Sequence, residues 1–168
     1  CDSDGILDIC ETGSSVDLMT QAFDFDLDLT GLGGRWVPPS GGQGPWTYCT
    51  VQATGTWIDP SAHSVLSLTD DDMYQYTMPF AFPFMGQNWN QIGIGSNGYV
   101  TFGQTDTTYQ PSISVHFSMP RISALFADFD PSVSGDVRVG PGPAGSLIIT
   151  WLDVPLWQQS ERINRVQL

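Results

Sequence analysis

There is no lysine in this chain of 168 residues, and five arginines stand against sixteen aspartates and two glutamates, for a formal net charge of −13. A chain so poor in cations cannot neutralise a phosphate backbone, which excludes nucleic acid as a partner, and anionic membrane surfaces repel it. Divalent cations, basic partners and plain solubility suit it instead. No apolar run reaches the roughly 18 residues of a spanning helix, so no membrane insertion is expected. Helical periodicity is also missing beyond about two turns. Histidine is scarce: His63 falls in a loop and His116 in a strand-like stretch, and neither has zinc-ligand spacing. No G-x-S-x-G elbow, phosphate-binding loop or dinucleotide fingerprint occurs. Asp128 and Asp130 are the one pair with the look of glycosidase carboxylates, but Asp130-Pro131 is an ordinary way to end a strand. The expectation is a protein that is not an enzyme.

Glycine and proline are abundant, 18 and 12 residues, and are spaced as punctuation between short β-prone runs. The length suits one domain with a real core and a small appendage. The clearest run is Phe80 to Gly103. Phe80, Phe82 and Phe84 alternate with Ala81 and Pro83, the period of a strand with one buried face. Met85 to Asn88 can turn the chain, Gln91 to Gly95 resumes a strand, and Asn97-Gly98 supplies a hairpin signal before Tyr99 to Phe102. Further strands are expected at Ser112 to Phe117, Ile122 to Phe129, Asp136 to Val139 and Ser146 to Trp151, with a loop over Asp153 to Ser160. Arg162 to Leu168 reads as one more strand without a partner, either because the natural chain continues or because a strand from another copy completes the sheet.

The N-terminus carries the most pointed chemistry. Sliding the twelve-residue calcium-loop template along it puts Asp2, Asp4, Asp8 and Glu11 on ligand positions, Gly5 on the sharp bend and the Ile6 carbonyl in the shell. The template's first ligand would precede Cys1. Phe23 to Leu29 alternates three aspartates with apolar residues, a half-exposed strand. Asp70, Asp71 and Asp72 are candidate ligands of a second ion. Trp36, Trp46 and Trp57 are candidates for stacking a sugar, although tryptophans also cap sandwich cores. Cys49 can pair with either Cys1 or Cys10, or be the odd thiol.

The segment FPFMGQNWNQIGIGSNGYVTFG resembles a recurring motif of nidogen-like β-sandwich domains in large bacterial extracellular proteins. The acidic turn Leu68 to Asp72, the stretch Arg121 to Pro131, and Leu147 to Trp151 with Val154-Pro155 extend the resemblance over roughly Leu66 to Leu168. Residues 1–20 resemble a truncated thrombospondin type 3 or dockerin-like calcium repeat, and in such repeats the spacing of Cys1 and Cys10 belongs to a disulfide staple. These resemblances imply an all-β, antiparallel, jelly-roll-like sandwich over residues 21–168 with a calcium-loop appendage. They imply a secreted, non-catalytic module; with the acidic loop and the unpartnered last strand, the expectation is a structural or adhesive module of a secreted or cell-surface protein that binds calcium and forms fibres, homo-oligomers or contacts to neighbouring domains by strand pairing. The alternative is a carbohydrate- or protein-binding module.

Overall fold

The computed structural model describes residues 57–168, together with the backbone of two strands at 32–37 and 47–52. The chain divides into two compact units, Cys1–Trp57 and Ile58–Leu168. In the first, β1 (Leu32–Val37) pairs antiparallel with β2 (Thr47–Gln52), with Arg35 in register with Cys49. Trp36 lies in β1. The expected calcium repeat with Asp2, Asp4, Ile6, Asp8 and Glu11, its Cys1–Cys10 staple, the aspartate strand at Phe23 to Leu29, and Trp46 lie outside the described residues.

The second unit is an antiparallel sandwich. Its strands are β3 (Ser64–Leu66), β4 (Met73–Phe84), β5 (Gln87–Gly95), β6 (Tyr99–Thr101), β7 (Arg121–Ser123), β8 (Asp136–Pro141), β9 (Leu147–Leu156) and β10 (Gln159–Gln167). One sheet runs β4-β5-β6-β7 and the other β10-β9-β8-β3. Within this unit the chain changes sheet only between β3 and β4 and between β7 and β8, and the other successive strands are hydrogen-bonded neighbours, so the likeness to a jelly roll lies in layering and strand number rather than in connectivity. Between the layers, Met78, Ile92, Ile94 and Val100 meet Leu66, Val137, Val139, Ile149, Trp151 and Val154. Burying each such side chain contributes on the order of 1.5–3 kcal/mol. Trp151 is fully buried and donates its indole N–H to the Gly95 carbonyl on the facing sheet at 3.0 Å.

The central meander forms as its period predicts, with Phe80, Phe82 and Phe84 half-buried between exposed Ala81 and Pro83. Met85 and Gly86 both take positive φ, 49° and 75°, which is the geometry of a tight two-residue hairpin turn. The next turn differs from expectation, because in Ser96-Asn97-Gly98 only Gly98 is left-handed, at 78°. A Cβ on Gly98 would run into the Leu125 carbonyl, so glycine is needed there on two grounds.

Two expected strands and one expected loop are corrected. Ser112 to Phe117 is not extended: Ile113–His116 is a single helical turn, and the Ser112 hydroxyl caps it by accepting from Val115 N–H at 3.1 Å. Ile122 to Phe129 is not a long central strand; β7 ends at Ser123 and is an edge. Beyond it the Ala124 and Leu125 amides bond to the Gly98 carbonyl and the Ala127 amide to the Asn97 carbonyl, so the hairpin tip takes the donors that a strand would need. Asp153 to Ser160 is not simply a loop. β9 continues through Val154-Pro155, absorbing Asp153 as a left-handed bulge (φ 57°) between the pairs Asn164–Val154 and Arg165–Leu152.

The longer edges are β4 and β10. The first carries Pro79, Pro83 and a register shift, the second two register shifts and the charges Glu161, Arg162 and Arg165. All are devices that discourage strand addition. Among the described residues no helix is long and apolar enough to cross a membrane.

Candidate functional site

At one end of the sandwich the acidic turn before β4 meets the segment after β7. Leu68 anchors the turn in the core. Asp72 locks it, accepting from Thr69 N–H (3.2 Å) and the Thr69 hydroxyl (3.3 Å) through one oxygen and from Met73 N–H (2.8 Å) through the other. Asp71 sits in the left-handed region, φ 49°, a strained backbone that aspartate tolerates better than most residues. The turn is tied to the β5–β6 hairpin by Ser96, whose amide donates to the Asp72 carbonyl and whose hydroxyl accepts from Asp72 N–H.

Asn97 fixes the two halves to each other. Its side chain is buried; it donates to Asp71 Oδ1 at 2.9 Å and accepts from Phe129 N–H at 2.8 Å. Phe129 is fully buried next to Asp128, whose carbonyl accepts from Trp157 N–H at 2.8 Å. Asp128 is thereby brought to Asp70 and Asp71, and one oxygen from each of the three carboxylates lies within 4.8 Å of the others. Among the described residues, buried Asp70 Oδ1 has no hydrogen-bond partner.

The electrostatics follow from this crowding. Burial, then the charges of Asp130, Asp71 and Asp128, push the Asp70 carboxyl above its ordinary range. Burial, then Asp71 and Asp130, do the same to Asp128. Like charges this close either share protons or gather a cation. A trio of half-buried oxygen donors is chemistry for a hard ion such as calcium.

Two of the three aspartates expected to form a second metal site, Asp70 and Asp71, are therefore brought together. The third, Asp72, is spent on the turn, and Asp128 stands in its place. Adjacent side chains on a tight turn point different ways, whereas Asp128 arrives from 56 positions further along. Its partnership could be read only from the Asn97 bridge. Asp130 does not pair with Asp128 as a glycosidase acid would, because its carboxylate is held by the Ser132 amide (3.0 Å) and hydroxyl. Trp57 is 43% exposed. His116 contacts the Ser123 hydroxyl at 3.1 Å, and His63 packs by Gly140.

A second buried charge, missed in the sequence, lies behind β6. The Arg121 side chain is fully buried, ion-paired with Asp106, and lies over the rings of Tyr99 (4.5 Å) and Phe126 (5.0 Å). The Tyr99 hydroxyl donates to carbonyls of the same loop, Asp106 and Thr108, at 3.1 Å. Together they strap residues 104–110 onto the sheet.

A family model described as NIDO related matches residues 47–167. Nothing among curated proteins or solved structures matches the chain.

Proposed function

The chain belongs to the NIDO-related family, and on that premise we propose that it is a structural module of an extracellular or cell-surface protein, stabilised by calcium at Asp70, Asp71 and Asp128. Domains of this kind are generally extracellular and typically non-catalytic. The single observation that supports the ion is the meeting of three carboxylates from two separate segments, one of them with a buried oxygen that has no hydrogen-bond partner among the described residues. An arrangement that raises its own proton affinity is poorly stable as a bare trianion, and a divalent ion relieves it. Binding there would cross-link the turn before β4 to the segment before β8, adding stability by mass action, about 2.7 kcal/mol at a hundredfold excess over the dissociation constant.

On this reading the N-terminal set Asp2, Asp4, Ile6, Asp8 and Glu11 supplies a further calcium, held by the Cys1–Cys10 staple, as a spacer to a neighbouring domain. The module takes part in adhesion or fibre assembly through its faces, because its long edges carry prolines, charges and register shifts.

Calorimetric titration with calcium, paired with thermal melting in calcium and in chelator, tests this. Saturable heat and a raised melting temperature are expected; Asp71→Asn with Asp128→Asn should remove the melting shift and one binding event, and Asp4→Asn with Glu11→Gln should remove the other event and leave the shift in place. Equal melting with and without calcium would overturn it.

A further inference from the structure

The lower part of the β4–β5 hairpin and the loop leaving β6 enclose an open groove of about 610 Å³, within the range of small-molecule sites. Its polar wall is made by carboxamides: Gln75, Asn88, Asn90, Gln91 and Gln104. Two of the four asparagines in the chain are among them. Among the described residues not one carboxylate or guanidinium lines it, in a molecule with 18 acidic residues. Trp89 supplies its aromatic wall. That indole is held rigidly: its N–H donates to the Phe84 carbonyl at 3.0 Å, and the ring packs on Phe102 at 5.8 Å between centroids. The Gly103 backbone packs close to the indole's benzo edge, since a Cβ there would lie 2.7 Å from Cζ3.

We propose that this groove binds a neutral glycan. Each carboxamide offers a donor and an acceptor together and never ionises, which matches hydroxyl groups that are themselves both. A groove without charge selects neither phosphate nor cation. The surrounding charge of −13 repels acidic sugars, so a neutral saccharide is favoured. The rigid indole provides an apolar surface for the C–H face of a sugar ring at little entropic cost. The groove shares no residue with the carboxylate trio, so it stands or falls independently of calcium.

The test is a nuclear magnetic resonance titration of the full chain, in calcium and in chelator, with cellohexaose, xylohexaose, mannohexaose and maltohexaose as probes. At least one should shift the side-chain amide signals of Asn88, Asn90 and Gln104 and the Trp89 indole, in both buffers. Asn90→Ala and Gln104→Ala, at exposed positions that leave the fold intact, should each weaken binding by about tenfold, the loss of one neutral hydrogen bond or a little more. No shift with any probe, shifts confined to other residues, unchanged affinity in both variants, or a preference for heparin fragments or an extended peptide would each overturn the proposal.

Discussion

Asn97 and Asp71, 26 residues apart in the chain, are joined by a 2.9 Å hydrogen bond from the buried carboxamide to the carboxylate. The other end of the same carboxamide holds the Phe129 amide. One side chain thus sets the spacing between the two segments that carry the acidic trio.

Asn97→Ala should therefore destabilise by about 2–4 kcal/mol, because a buried amide and a carboxylate lose their partners. Asn97→Asp keeps the acceptor for Phe129 but adds a fourth acid beside Asp71. Urea unfolding in chelator and in calcium should show calcium recovering more of the loss in the aspartate variant than in the alanine one.

Arg121 and Asp106 form a pair whose members are almost wholly removed from water. Arg121→Leu alone should cost about 3–5 kcal/mol, since Asp106 would be left buried and unpaired, while Arg121→Leu with Asp106→Leu should recover much of it. A double-mutant cycle by chemical denaturation reads the coupling. Two additive single losses would show that the strap on residues 104–110 is held by Tyr99 instead.

In chelator, the raised Asp70 and Asp128 carboxyls make stability fall as pH rises. The folded state holds their protons more tightly than the unfolded chain, whose carboxyls titrate near 3.8, so their contribution is present below that value and lost above it. Melting curves between about pH 4 and pH 7 should diverge between chelator and calcium as pH increases. Asp128→Asn should flatten the chelator series.

Trp151→Phe should cost about 1–3 kcal/mol, leaving the Gly95 carbonyl unsatisfied inside the sandwich, without changing the fold. Thermal unfolding and an unchanged far-ultraviolet circular dichroism spectrum check it.

The layers and the central meander were legible because alternation at Phe80 to Phe84 and the turn residues Gly86 and Gly98 are local signals. Ser112 to Phe117 misled for a physical reason: six alternating residues fit a strand, but a capping serine and exposed Ile113 and Phe117 decide for a helical turn. Ile122 to Phe129 misled because its amides answer to a hairpin tip distant in the chain. The site shows the same division. Asp70 and Asp71 were visible as a run of acids, whereas Asp128 joins them only through folding, and Asp106 finds Arg121 across 15 positions. The carboxamide groove left no trace in periodicity, since its residues come from β4, β5 and a loop.

The prolines of β4 and the bulges of β10 bear on how such a unit behaves in company. Modules strung along one polypeptide face each other at millimolar effective concentration, where two open sheet rims would zip together and trap a misfolded pair. If the proposed module stands among others of its kind, rims broken in this way would let each fold beside its neighbours without being captured by them, one unit at a time.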